Sequence, residues 1–224
     1  MEHILAISDT HGMHNHLKLD LENVDCIIHS GDSTNYYDLL RNEREFDEFI
    51  HWYAKLPVKH KILIAGNHDA WSMKKYNLDK VKSLGITYLE HEYHEIDGIL
   101  FFGSPYTPTF GQWYHMKDRS KLNQYWEVLN EGIDVLITHG PPKGILDLSE
   151  NPDRELEMCG DKALLRNVLK TKPKYHVFGH LHNNKECINQ GNRVFENTTF
   201  INASCVTDGR FDYGPSSHGI KFKL

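Results

Sequence analysis

The sequence predicts a mixed α/β fold, and three observations carry that expectation. Short apolar runs alternate with longer stretches whose apolar residues recur at helical spacing. Asp97-Gly98 separates the β-rich runs 93–96 and 99–102, which marks an antiparallel hairpin. Five of the apolar runs stop at Asp, Asn or His, usually with a glycine alongside.

In chain order, the strand candidates are residues 3–8, 25–30, 61–65, 85–89, 133–138, 175–178 and 199–202. Residues 43–54 place Phe46, Phe49, Ile50 and Tyr53 on one helical face. Residues 121–129 and 162–169 read the same way, the second through Leu164, Leu165 and Val168. Strand–helix alternation means βαβ units and parallel pairing, with antiparallel additions later in the chain. No repeat or Pro/Ser-rich linker interrupts the pattern, so one domain over residues 1–224 is expected.

The composition excludes several classes. With 39% hydrophobic and 25% charged residues the chain has material for a core, and no apolar run approaches the roughly 20 residues of a membrane span. The apolar stretch that begins at Ile4 is closed by Ser8, too soon for a signal peptide. Cys26, Cys159, Cys187 and Cys205 show no paired spacing and read as reduced thiols of a cytoplasmic protein. A net charge of −6 argues against clamping long nucleic acid. Sixteen histidines are many for 224 residues, and imidazole is the commonest metal ligand.

The strand ends carry the chemistry. Ile4–Ser8 runs into Asp9-Thr10-His11-Gly12, and Cys26–Ser30 into Gly31-Asp32. Ile62–Ala65 meets Gly66-Asn67-His68-Asp69. Val135–Thr138 leads to His139-Gly140-Pro141-Pro142, and Val177-Phe178 to Gly179-His180-Leu181-His182. Ligand crevices of α/β sheets lie outside the carboxyl ends of the strands, so the five loops should converge.

Asp, Asn and His together suit phosphate-ester chemistry. The anionic oxygens of such an ester repel a nucleophile, and its alkoxide is a poor leaving group. Two cations about 3.5–4 Å apart neutralise the oxygens and acidify a water. They need a carboxylate able to bridge and neutral N/O ligands beside it. Two aspartates, an asparagine and four histidines suit Mn, Fe, Ni or Zn better than Mg or Ca, with Mn²⁺ the first choice. The glycines are expected to supply positive φ, so that the loops turn sharply off the strands.

This ordered set of motifs resembles the calcineurin-like metallophosphoesterase superfamily. The chain is most similar to the metallophosphoesterase-domain branch of small phosphodiesterases. Gly103-Ser104-Pro105-Tyr106 with Trp113, Thr138-His139-Gly140-Pro141-Pro142, Cys159-Gly160, and Ile201-Asn202-Ala203-Ser204 carry that finer likeness. The third block ends in Asp69 where many members have Glu. The resemblance implies a four-layer α-β-β-α sandwich of two mixed β-sheets, with a dinuclear site at the strand ends. Asp9, His11 and His182 would hold one divalent ion, Asn67, His139 and His180 the other, and Asp32 would bridge. His68 would bind no metal; it would sit over the phosphate, its ring oriented by Asp69. Chemistry alone also makes such a His, raised in pKa by a neighbouring carboxylate, a natural acid for a departing alkoxide.

The expected activity is therefore hydrolysis of a small phosphodiester, a cyclic nucleotide among the candidates. The same ligands would serve a phosphomonoesterase or phosphoprotein phosphatase, but no dedicated arginine stands in the motif loops. A non-catalytic binding module would be expected to lose ligands, and none is lost. Trp71, Tyr106, Trp113 and Tyr114 are read as packing rather than as a nucleobase platform. The basic run Lys162, Arg166, Lys170, Lys172 and Lys174 is read as a solvated helix face. His14, His16, His91 and His94 are read as surface residues.

Overall fold

Alternation of side chains along the strands decides the layering. In a computed structural model, which describes residues 1–151, 153, 155–207 and 215–224, the strands are β1 (His3–Ile7), β2 (Cys26–Ser30), β3 (His60–Ile64), β4 (Thr87–Tyr88), β5 (Glu92–Ile96), β6 (Ile99–Ser104), β7 (Thr107–Pro108), β8 (Met116–Lys117), β9 (Val135–Thr138), β10 (Leu148–Glu150), β11 (Leu156–Met158), β12 (Tyr175–Phe178), β13 (Gly191–Phe195), β14 (Thr198–Asn202) and β15 (Ile220–Lys223). The helices are α1 (Leu39–Lys55), α2 (Lys75–Ser83), α3 (Leu122–Trp126) and α4 (Lys162–Thr171).

One sheet has the order β15-β1-β2-β3-β4 and the other β13-β14-β12-β9-β6-β5. β1, β2, β3 and β4 run parallel, with β15 antiparallel at the edge. In the second sheet β14, β12, β9 and β6 run parallel, with β13 and β5 antiparallel at its two edges. Both sheets are mixed.

Ile4, Ala6, Ile28, Ile62 and Ile64 of the first sheet face Phe101, Val135, Ile137, Val177 and Ile201 of the second, and this is the central core. The residues between them point outward. Leu5, Ile7, Ile27 and Leu63 pack under α1, which contributes Phe46, Phe49, Ile50 and Tyr53. Phe102, Leu136, Phe178 and Phe200 pack under α3 and α4 with Leu122, Trp126, Leu164 and Val168. Strands covered on both faces read as unbroken apolar runs, as these do. The result is the four-layer α-β-β-α sandwich.

Several boundaries move for physical reasons. α1 starts four residues before the expected 43, because the Asp38 carboxylate accepts from Arg41 N at 3.0 Å and caps it. The 121–129 segment is helical only over Leu122–Trp126, although Leu129 stays buried. Strand 85–89 shrinks to Thr87–Tyr88, which pair with Ile62 and Leu63 at the end of the sheet. His14 is not a surface residue: it is 1% exposed and packs against Phe49 and Trp52. The Asp97-Gly98 hairpin forms as expected.

Candidate metal centre

The loops after β1, β2, β3, β9 and β12 converge at the carboxyl edge of the two sheets. Backbone bonds strap them together before any side chain acts. Asp9 N donates to Gly31 O at 2.9 Å, His11 N to Asp32 O at 3.1 Å, and Gly179 N to His139 O at 3.0 Å.

Four of the expected ligands adopt left-handed backbone: Asp9 (φ 51°), His11 (42°), Asp32 (56°) and His180 (69°). Non-glycine residues rarely do so, and such strain persists where the surroundings over-determine it. The glycines only partly play their expected part. Gly31 has φ 102°, but Gly66 and Gly179 are not in the left-handed region. Their role is to leave space: a Cβ on Gly66 would lie 2.2 Å from Asp32 Oδ1, and one on Gly179 2.0 Å from Asp9 Oδ2.

The donor atoms form two overlapping groups. In the first, Asp9 Oδ1 lies 3.2 Å from His182 Nε2 and 4.0 Å from His11 Nε2, and the two imidazole nitrogens are 3.3 Å apart. In the second, His139 Nε2 lies 3.2 Å from Asp32 Oδ2 and 2.9 Å from Asn67 Oδ1, and His180 completes the cluster. Asp32 Oδ2 is also 3.8 Å from His11 Nε2, which places this carboxylate between the groups. The carbonyl of Ser30 accepts from His139 Nδ1 at 2.9 Å, which turns Nε2 toward the site. Asp9 accepts the backbone N–H of His180 on both oxygens at 3.0 Å.

The electrostatics match a cation-binding cluster. Burial drives the His11 and His180 imidazoles down to about 3, so both are neutral donors at pH 7. Burial pushes the Asp9 carboxyl up, but the hydrogen bond and charge of His182 outweigh it and hold the group low. Burial likewise opposes ionisation of Asp32, and the charges of His139 and His68 overcome it. His139 goes the other way: burial lowers it, yet Asp32 raises it to about 9. A proton on Nε2 therefore sits between Asp32 and Asn67, where a cation would displace it. Two buried carboxylates, one amide oxygen and imidazoles converging within a few ångströms fit divalent transition ions.

His68 lines the same groove, and a ring nitrogen of it lies within 4.8 Å of a ring nitrogen of His11 and a carboxylate oxygen of Asp32. Its ring is not oriented by Asp69, contrary to the sequence expectation. Nδ1 is 3.0 Å from the carbonyl of Asn35, and the ring lies 4.0 Å from the indole of Trp113. The Asp69 carboxylate is taken up elsewhere. It accepts from Ser33 Oγ at 2.7 Å, Thr34 N at 3.1 Å and Gly66 N at 2.8 Å. Asp69 thus ties the loop after β3 to the loop after β2, and through them positions Asn67 and Asp32.

A groove of about 610 Å³ opens over the donors, walled by Pro108, Phe110, Pro141 and Leu181. Of the four aromatics weighed in the sequence, Trp71 is fully buried on Phe46, as packing requires. Tyr106 packs on His91 and Tyr125, whereas Trp113 borders the site through His68. Asn35, Ser33, Thr34, Phe110 and Arg119 were not singled out by the sequence, because each acts through contacts distant in the chain.

This fold with this donor set defines a metallophosphoesterase. The profile of the calcineurin-like phosphoesterase family matches residues 2–184, and the chain belongs to that family. It is 34% identical over 221 residues to UPF0046 protein K07C11.7 of Caenorhabditis elegans, covering 92% of this chain and 70% of that one. It is 31% identical over 228 residues to metallophosphoesterase domain-containing protein 1 of Homo sapiens, covering 91% of this chain and 66% of the human one. Among solved structures, TT1561 of Thermus thermophilus is similar with a TM-score of 0.60 at 13% identity, covering 90% of this chain and 88% of that chain, a likeness of fold.

Proposed function

We propose that this protein is a phosphodiesterase that hydrolyses a small phosphodiester, a cyclic nucleotide among the candidates, at a dinuclear centre. The observation that carries the reading is Asp32, whose carboxylate stands between two donor groups at the floor of one groove. Asp9, His11 and His182 would hold one cation and Asn67, His139 and His180 the other, with Asp32 shared. Mn²⁺ is the first choice, and Fe, Ni or Zn also suit the donors. When bound, such a pair supplies Lewis acidity to the phosphoryl oxygens and to water.

The chain's own groups do the rest. Asp9 and Asp32 remain anionic and keep the donor clusters attractive to cations. The carbonyl of Asn35 accepts from His68 Nδ1 at 3.0 Å, which leaves Nε2–H of the imidazolium as the proton for a departing oxygen. The walls near the donors favour a diester. Among the described residues lining this groove, Arg119 is the one Lys or Arg, and Phe110, Pro108 and Leu181 suit an organic arm better than a second phosphoryl charge. The four free thiols support a reducing compartment such as the cytoplasm. Among the described residues no helix is long and apolar enough to cross a membrane.

A hydrolysis screen of the metal-loaded protein decides between ester classes. Turnover of 2′,3′- or 3′,5′-cyclic nucleotides above that of the matching monoesters is the expected result. Monoester turnover alone would replace the diesterase reading by a phosphomonoesterase one.

A further inference from the structure

The groove does not end at the donors. Arg119, Glu157 and Cys159 also line a second cavity of about 620 Å³, so the two spaces share a wall. Arg119, Lys143, Lys162 and Arg166 line this annex against two carboxylates, Glu157 and Asp161. One of those carboxylates is already engaged: Asp161 accepts from Trp126 Nε1 at 2.5 Å and from Ala163 N at 2.8 Å. The annex is thus a cationic recess on a chain of net charge −6.

Arg119 is built into the shared wall. Its guanidinium donates to Cys159 O at 2.9 Å and Gly160 O at 3.3 Å. Two carbonyls fix the group and leave further N–H donors of its five for a ligand. Lys143 is steadied by the carbonyl of Met158, and Arg166 by the side chain of Asn123. No ion pair of the described residues includes any of the four cations. The two guanidiniums, held by carbonyl and amide oxygens and in no ion pair among the described residues, keep N–H donors that match the bidentate geometry of a phosphate.

We infer that this annex binds a second anionic group, a phosphate monoester, carried by the same small molecule whose diester lies over the metal centre. The inference rests on the phosphodiesterase reading and narrows its substrate to a diester bearing a distal phosphate. Arg119 and Arg166 are then specificity residues, and Arg166 leaves the run read from the sequence as a solvated helix face.

The test compares a 2′,3′-cyclic nucleotide with its 5′-phosphorylated form on the metal-loaded protein. The phosphorylated member should be preferred in kcat/KM by about tenfold to a hundredfold, the worth of one or two hydrogen bonds to charged groups. In Arg119→Gln and in Arg166→Gln that ratio should fall toward one. Arg119→Gln also removes the props of Cys159 and Gly160, so Arg166→Gln, which leaves them, is measured beside it. A wild-type ratio of one or less, or a preference that survives both substitutions, overturns the inference. Should neither ester turn over, calorimetric binding of the same pair still decides. Tighter binding of the phosphorylated member, lost in both variants, keeps the annex and places the failure on the diesterase reading. Equal binding overturns the annex.

Discussion

The imidazole of His68 lies against the indole of Trp113, with centroids 4.0 Å apart and planes inclined by 31°. The carbonyl of Asn35 holds the same ring from its Nδ1 side. Trp113 is itself backed by Tyr37, edge-on at 5.4 Å. A ring held at its face and at one nitrogen has little freedom left to rotate. Trp113→Ala should therefore lower kcat by about tenfold to a hundredfold, the scale of misplacing a reacting group. Metal content should not change, since no donor atom is lost. Trp113→Phe should recover most of the rate. Steady-state kinetics with elemental analysis checks this, and an unchanged kcat in Trp113→Ala would remove the positioning role.

His68 itself makes a leaving-group prediction. If it protonates the departing oxygen, His68→Ala should cost about 10²–10⁴-fold on a ribose ester and clearly less on a p-nitrophenyl ester. Metal content should persist. Because His68 also lies within reach of His11 and Asp32, loss of metal in this variant would instead place the ring among the ligands. Equal losses on both esters would assign it to charge stabilisation.

Gly179 tests the close packing behind the centre. An added methyl would meet Asp9 Oδ2 at 2.0 Å and Ser8 Oγ at 2.1 Å. Gly179→Ala should destabilise the fold by about 1–3 kcal/mol, the usual cost of overpacking, and weaken metal binding by displacing Asp9. Chemical denaturation and metal titration read both effects. Gly98→Ala is the contrast: nothing lies within 4 Å of its added Cβ, but its φ of 79° adds backbone strain, so stability should fall while metal affinity holds.

Acid should destabilise the protein through His176. This ring is buried in β12 and shares a 2.8 Å hydrogen bond with Thr138 Oγ1, and burial lowers its pKa to about 3. The folded value lies below the ordinary 6.5, so the unfolded chain takes up the proton first. Its contribution is complete above about pH 6.5 and is lost progressively as pH falls toward 3. Between pH 7 and pH 5 the loss should be about 2 kcal/mol. His176→Gln should show a correspondingly smaller drop in denaturation free energy between those two pH values. An identical drop in both proteins would mean that other groups carry the acid sensitivity.

The candidate site was legible because its ligands follow apolar strands directly. Asp9, Asp32, Asn67, His139 and His180 need only the strand register to meet. Asp69 was misread because its partners Ser33 and Thr34 lie on another loop, and adjacency to His68 in the chain suggested a contact that the turn prevents. Arg119 carries no pattern of its own; only the carbonyls of Cys159 and Gly160, some forty residues later, mark it. α2 escaped notice because its nine residues offer little apolar spacing beyond Leu78 and Val81. The edge strand β15 escaped because Ile220 and Phe222 alternate with lysines over only four residues.

The proposed bridging of two ions by Asp32 is tested most directly by elemental analysis. The wild-type protein, reconstituted with Mn²⁺ and desalted, should hold about two ions per chain. Asp32→Ala should lose affinity at both sites, because the removed carboxylate also offsets repulsion between the ions. His11→Ala should mainly weaken the site built from Asp9 and His182. Two ions retained in Asp32→Ala, or equal losses in both variants, would contradict the account.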